Sequence, residues 1–426
     1  MAADNDRHDE ARMVASRLEY LKRHARAEYA IKPGADIRDR PPIFYVPDRL
    51  VTTAEHQDLV RRILEEWFDS CGDPEPLVKY DDNLVVFEVG GDSLHTAEGV
   101  KRAAGKLGIK DMTVAPLHVL TPAPGPKIGP RDDPDPASAY VRQSAGPAVE
   151  PLAPVAVIDT GLWTDPPHPL SAGIAAGGEE KVDVNPDDGF VDFYGSGHGG
   201  FIGGVIENNA PGAKVIAHNA FHKGVLTEAS VIDEIDAALN ESDVVVLNVS
   251  LGSYEQADSS GGVELVALRQ AMRRWRKANP NALIVAAAGN DSTTYPFFPA
   301  GFAGEEEFAD MVVSVGALGG PADGVGIHAA AADFTNHGTW VTAWAPGEKI
   351  VSDYPKGLSF GYSDASGAVV TSSTFADGLA YWSGTSFAAP FVAAEIVREM
   401  REGESPRDTW KRIRGASPFV IFWPSW

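Results

Sequence analysis

Between residues 386 and 401 the apolar side chains Phe387, Phe391, Val392, Ile396, Val397 and Met400 recur at helical spacing. Ala388, Ala389, Ala393 and Ala394 fill the remaining faces of the first turns. A helix apolar nearly all round is a buried one. The stretch therefore predicts a central helix with Ser386 at its N-terminus and Pro390 within its first turn. Upstream the pattern shortens. Val155–Ile158, Lys214–Ala217, Val244–Asn248, Leu283–Ala287 and Met311–Val315 are brief apolar runs, as buried parallel strands are. Helical stretches at 199–208, 228–240 and 262–278 separate them. The pattern predicts an α/β fold, a mostly parallel sheet with helices on both faces and chemistry at the strand C-terminal ends.

Residues 43–120 carry a different rhythm. Ile43–Val51 reads as a strand, 54–70 as a helix, and Leu77–Tyr80 with Leu84–Val89 as a hairpin turning at Asp81-Asp82-Asn83. A second helix at 94–107 and a strand at Met112–Leu120 complete the order βαββαβ, that of a small α+β ferredoxin-like domain. Ahead of it, Met13, Val14, Leu18, Leu21 and Tyr29 lie on one side of an amphipathic helix over 5–30. Its mixed-charge polar face suits packing better than a membrane surface. Seven prolines between Pro122 and Pro147 make 121–150 a semi-rigid linker. The expected organisation is a helical extension at 1–42, the ferredoxin-like domain at 43–120, the linker at 121–150 and a large domain at 151–426.

Charge narrows the partners. The chain of 426 residues has a formal net charge of -24. Residues 1–150 carry 20 basic and 26 acidic side chains, and residues 151–426 carry 16 and 34. So acidic a C-terminal domain argues against nucleic acid or an anionic membrane as partner. Cys71 is the sole cysteine, which excludes an intrachain disulfide and a cysteine-built zinc site. The first ten residues lack the apolar core of a secretion signal, and no run approaches 18 apolar residues. The expected location is cytoplasmic.

Four polar residues stand where such a fold does chemistry. Asp159 follows the strand Val155–Ile158, and His198 lies between glycines at the start of the helix Phe201–Ile206. Asn290 ends the strand that begins at Leu283, and Ser386 opens the central helix. Taken singly, each has a structural reading, and Ser386 is an N-cap as readily as a nucleophile. Together, in the order Asp, His, Asn, Ser, they are a much rarer coincidence.

The second domain resembles the subtilisin-like serine proteases, the subtilase family. The likeness runs through Val157-Ile158-Asp159-Thr160-Gly161, His168-Pro169-Leu170, His198-Gly199, Asn248-Val249-Ser250-Leu251-Gly252 and Ala287-Ala288-Gly289-Asn290. It continues through Ala345-Pro346-Gly347 to Gly384-Thr385-Ser386. The resemblance implies a serine endopeptidase acting on protein or peptide substrates. Ser386 would be the nucleophile, His198 its general base and Asp159 the group that orients the imidazole. The Asn290 amide and the Ser386 N–H would form the oxyanion hole. Ser250, Leu251 and Gly252 would pair with an extended peptide, and Ala288, Gly289 and Thr294 would help wall the specificity pocket.

The resemblance also implies that the N-terminal domain is propeptide-like or regulatory. No calcium loop interrupts the helix after His198, so no metal and no cofactor are expected. Asp187, Asp188 and Asp192 read as an acidic turn, and Glu305-Glu306-Glu307 as a solvated loop. Residues 353–380 form a flap beside the site or a surface excursion. The aromatic C-terminus, 419–426, packs back on the domain or docks a regulatory partner, a role the N-terminal domain could share. Two other readings stay open: a catalytically idle peptide-binding module, and an esterase of the α/β-hydrolase type. The second lacks its Gly-x-Ser-x-Gly elbow at Ser386.

Overall fold

The computed structural model describes residues 30–32, 43–122, 134–137 and 152–414, less 69–70, 80, 110, 171–173, 175–176, 182–194, 222–224, 242–244, 256–262, 320–329 and 364–368. The amphipathic stretch as far as residue 29, the acidic turn at Asp187, Asp188 and Asp192, and the segment 419–426 lie outside the described residues.

The first elements are β1 (Ala30–Lys32), β2 (Ile43–Thr53), α1 (Gln57–Trp67), β3 (Glu75–Val78), β4 (Asp81–Glu88), α2 (Ser93–Lys106) and β5 (Val114–Val119). β2 takes β5 on one edge and both β4 and β1 on the other, with β3 outside β4 and every pair antiparallel. The alternating residues Val85, Phe87 and Val89 of this hairpin face a core with Val60, Ile63 and Leu64 of α1 and Ala97, Val100 and Ala104 of α2. The chain turns between Val78 and Asp81, which pair, and not at 81–83. Asp81 is a strand residue with a buried carboxylate. That carboxylate accepts from Arg274 Nε at 3.0 Å and from the Asn83 N–H at 2.9 Å.

Further along come β6 (Val155–Asp159), α3 (His198–Asn209), β7 (Val215–Asn219), α4 (Glu228–Asn240), β8 (Val246–Val249), β9 (Leu251–Tyr254) and α5 (Val266–Ala278). The chain continues with β10 (Leu283–Ala287), β11 (Val312–Gly319), β12 (Ala343–Pro346), α6 (Thr385–Glu399) and α7 (Pro406–Ile413). β7, β6, β8, β10, β11 and β12 lie side by side in that order, all parallel. Every residue of β6, β8 and β10 is buried, which is why these strands read as unbroken apolar runs. α6 packs on α3 and across β8, β10, β11 and β12.

Two smaller features fall in stretches expected to be irregular. Asp135–Pro136, inside the proline-rich 121–150, pairs antiparallel with Leu379–Trp382, which in turn pairs with Ile350–Asp353. Within 353–380, Ser359–Ser363 and Val369–Thr374 form an antiparallel hairpin.

The chain divides into two units. The first takes in residues 1–121, 221–237 and 253–280, and so joins β1–β5 to α5 and most of α4. The second takes in 122–220, 238–252 and 281–426, with the parallel sheet, α3, α6 and α7. In the first unit α5 packs against β2, β4 and β5, and carboxylates seal the contact. Glu228 Oε2 accepts from the His118 N–H at 3.1 Å and lies 3.2 Å from His118 Nδ1, while its Oε1 accepts the Leu268 N–H at 3.0 Å. Arg274 forks onto Asp236 at 2.6 and 2.8 Å while holding Asp81.

Arg274→Ala would leave two carboxylates, Asp81 and Asp236, each with a side chain 4% exposed, without the guanidinium that pairs them. Breaking a buried pair from one side costs about 3–5 kcal/mol, and urea denaturation of the full chain should read a loss of that size. Arg274→Lys keeps the charge without the fork, and should recover only part of the loss. A loss under about 1 kcal/mol, the worth of a surface ion pair, would show that these contacts do not hold the unit together.

Candidate active site

β6 ends on Asp159, which is fully buried. Its Oδ1 accepts the Thr160 N–H at 2.8 Å and lies 2.7 Å from His198 Nδ1. Because a carboxylate only accepts, the proton between them sits on Nδ1 and the lone pair of the ring is on Nε2. Nε2 is buried and has no hydrogen-bond partner among the described residues. His198 is the first residue of α3, and Gly197 ahead of it adopts φ of 79°. A Cβ at Gly197 would stand 2.8 Å from the Tyr354 ring, so this bend into the helix needs glycine. The rings of Trp382 and Phe387 flank the imidazole with centroids at 5.5 and 5.3 Å.

Ser386 is the second residue of α6, where backbone N–H groups have no intrahelical acceptor. α6 begins at Thr385, so Pro390 falls in the second turn and not in the first. A proline there removes the N–H that would bond the carbonyl four residues back, which is that of Ser386. The Ser250 hydroxyl takes its place, donating to Ser386 O at 3.0 Å while accepting from Asn248 Nδ2 at 2.9 Å. Ser386 Oγ donates in return to the Ser250 carbonyl at 3.3 Å. The structure thus joins Asp159 to His198 and Ser386 to Ser250. Asn290 Oδ1 accepts the N–H and the hydroxyl of Thr385, both at 2.8 Å, which fixes the amide and leaves Nδ2 buried without a partner among the described residues.

The other expected residues spread along two strand ends. Leu251 and Gly252 lie in β9 and are buried. The Ala288 carbonyl accepts from Asn336 Nδ2 at 2.9 Å, and the Gly289 N–H donates to Thr385 Oγ1 at 3.0 Å. Thr294 is exposed, and its carbonyl receives the Trp340 indole N–H at 3.1 Å. Glu306 and Glu307 are exposed as a solvated loop should be. Among the described residues no group of three or more His, Cys, Asp or Glu is arranged to hold a metal ion.

Thr385 and His168 have no signal of their own in the sequence that points to these contacts, although both lie inside the motifs quoted above. His168 is buried beside the helix of His198. Its Nδ1 accepts the Leu170 N–H at 2.9 Å, so its other nitrogen carries the proton and donates to the Gly200 carbonyl at 3.1 Å.

A parallel sheet with an Asp–His pair at one strand end and a buried serine at a helix start defines an α/β protein of the subtilisin fold. Residues 153–416 match the model of the Subtilase family, and the chain belongs to that family. The thermophilic serine proteinase of Bacillus sp. (strain AK1) is 31% identical over 56% of this chain. Thermitase of Thermoactinomyces vulgaris is 29% identical over 59% of it. The matches take in 50% of the Bacillus proteinase and 76% of thermitase. Among solved structures, fervidolysin from Fervidobacterium pennivorans, described as a keratinolytic enzyme related to subtilisin, aligns over 85% of this chain and 56% of its own. Its TM-score is 0.54 at 20% identity, a likeness of fold.

Burial pulls the His168 imidazole down to about 4, against the Gly200 carbonyl that favours its charged form. The folded value lies below the unfolded value of about 6.5, so folding favours the neutral ring. Stability from this site is full above about pH 6.5 and falls as the pH drops towards about 4, where the unfolded chain binds a proton the native one refuses. Urea denaturation at a series of pH values should therefore show an acid slope that is shallower in His168→Gln by up to about 1.4 kcal/mol per pH unit. Equal slopes would remove His168 from the acid response.

Proposed function

We propose that the chain is a serine endopeptidase in which Ser386 attacks the scissile carbonyl, His198 Nε2 takes its proton and Asp159 stabilises the imidazolium. Peptide and protein chains are the proposed substrates, laid along Ser250–Gly252 in extended form with Ala288, Gly289 and Thr294 beside the pocket. The reading is carried by one observation. Two of the buried polar atoms that have no partner among the described residues, His198 Nε2 and Asn290 Nδ2, are the proton acceptor and the donor that acyl transfer requires. Each is held in place by the other end of its own side chain, through Asp159 and Thr385. Attack requires Ser386 to exchange the Ser250 carbonyl for His198, a rotation about χ1 that substrate binding would drive, since catalytic hydrogen bonds commonly tighten in the Michaelis complex.

That same Ser386–Ser250 bond favours the second reading, an idle peptide-binding module. A fluorophosphonate probe separates the two, because only an activated serine reacts with it.

The stretch 43–120 of the first unit is the proposed regulator. The strand order β5-β2-β4-β3 with two helices on one face supports a ferredoxin-like, propeptide-like domain. Its ties to α4 and α5 through Glu228 and Arg274 support a role exercised while it is attached. A specific cleavage sequence placed between 140 and 150 tests this: cutting it should raise peptide hydrolysis, and an unchanged rate would favour an adaptor role.

Ser386→Ala should abolish both probe labelling and hydrolysis with the fold intact. Asn290→Ala should lower kcat and leave KM near its original value, because the oxyanion forms only after attack. In subtilisin itself the corresponding losses are known to be about 10⁶ for the serine and about 10²–10³ for the amide. An Asn290→Ala enzyme with unchanged kcat would remove Asn290 from the mechanism.

A further inference from the structure

The site holds a buried carboxylate that the proposed chemistry does not use. Leu162–Trp163 and Glu179–Glu180 are two-residue strands paired in parallel, with Glu180 opposite Trp163. This register turns Glu180 inward, 5% exposed, towards the two backbone turns that carry Asp159 and His198. Its Oε1 accepts the Gly197 N–H at 2.8 Å, and its Oε2 accepts the Thr160 hydroxyl at 3.2 Å. Thr160 Oγ1 in turn accepts the Gly199 N–H at 3.0 Å, while the Thr160 N–H donates to Asp159 Oδ1 at 2.8 Å.

We infer that Glu180 is a positioning residue for His198, tying down the peptide groups on both sides of the imidazole and coupling them through Thr160 to Asp159. Both N–H groups flanking His198 end on this carboxylate, one directly and one through a single hydroxyl. The turns also meet so closely that a Cβ on Gly199 would stand 2.6 Å from the Gly161 carbonyl. Small displacements there cannot be absorbed by slack. A buried carboxylate is costly unless its hydrogen bonds are made, so a Glu here must be compensated by the order it imposes. An apolar residue would fill the same space without binding either N–H. The hydroxyl of Thr160 has a fixed direction: since its oxygen accepts from Gly199, its proton must go to Glu180. The chain Gly199–Thr160–Glu180 therefore runs one way, and the second carboxylate oxygen closes it on Gly197. Displacing a catalytic group by about 1 Å costs about 100-fold in rate, and that is the error this network prevents.

The kinetic part of the test rests on the proposed peptidase reading; the spectroscopic part does not. The full chain is prepared as wild type, Glu180→Gln, Thr160→Val, Thr160→Ser and the double variant Glu180→Gln/Thr160→Val. Thermal unfolding, peptide kcat and KM, and the low-field proton resonance of the His198 Nδ1–H are measured on each. Glu180→Gln is isosteric but offers one acceptor oxygen where the Gly197 N–H and the Thr160 hydroxyl need two, so in either orientation its NH2 faces a donor. It should lower kcat by about 10- to 100-fold with KM within about two-fold, and should shift or broaden the Nδ1–H resonance. Thr160→Val should do the same, and Thr160→Ser, which keeps the hydroxyl, should rescue both readouts. Because the two residues act in one network, the double variant should be slower than the worse single by no more than about three-fold. A folded Glu180→Gln protein with wild-type kcat and an unmoved resonance overturns the inference, as does a double variant whose losses multiply. If Glu180→Gln fails to fold, Thr160→Val against Thr160→Ser decides in its place, since the Gly197–Glu180 bond is untouched in both: loss with rescue supports the network, and no loss overturns it. If wild type neither hydrolyses peptide nor reacts with a fluorophosphonate, the peptidase reading falls, and the resonance alone decides the role of Glu180.

Discussion

A helix that starts inside a protein has no water for its first N–H groups, nor for any carbonyl a proline has released. α6 starts there, and much of the site is the answer to that accounting. Asn290, past the end of β10, accepts the Thr385 N–H; Ser250, past the end of β8, donates to the carbonyl that Pro390 leaves free. Two strand ends are thereby registered against one helix turn to within hydrogen-bond tolerance. The residue they enclose is Ser386. Satisfying the backbone and aligning the proposed reactive groups are the same set of bonds.

Acidic side chains perform a related task in each unit. Asp159 and Glu180 in the second, Glu228 and Asp236 in the first, are all buried and all accept two or more hydrogen bonds. Three of them take backbone N–H groups that no strand or helix ladder could reach. Part of the net charge of -24 is therefore internal structure, and inferring partners from the total overstates how much of it faces solvent.

The parallel strands and the helix of Ser386 were legible because their patterns are local: unbroken apolar runs, small residues on every face, glycines beside a single histidine. Asp159, His198, Asn290 and Ser386 could be picked out because each falls where an apolar run gives way to glycine or to a helix start. What stayed hidden depends on partners distant in sequence. Asp81 looks like a turn residue until Arg274, 193 positions later, is placed against it. Asp135–Pro136 looks like linker until Leu379–Trp382 supplies a strand. Glu180 sits beside Glu179 and Lys181, which gives it the signature of a surface loop, and only the register with Trp163 turns it inward. Pro390 lies past the first turn, as the sixth residue of a helix whose start at Thr385 is held by the Asn290 side chain, a contact that no apolar period records.

The surroundings of His198 explain why so much of the structure is spent on holding it. Trp382, Phe387 and Phe201 pack on one another, with centroid separations of 4.5–5.6 Å, and the first two also lie against the imidazole. Such a wall keeps water from the Asp159–His198 pair. A low local dielectric strengthens the attraction between a carboxylate and the imidazolium that the proposed reaction would form beside it, but it equally raises the cost of any group left without a partner. Water cannot repair a misplaced imidazole in that environment. Orientation must come from the protein, and it comes from three sides: Asp159 on Nδ1, the Glu180–Thr160 chain on the flanking peptides, and His168 on the Gly200 carbonyl in the first turn of the helix. The same aromatic wall that would make the pair effective in the proposed reaction makes the braces behind it necessary.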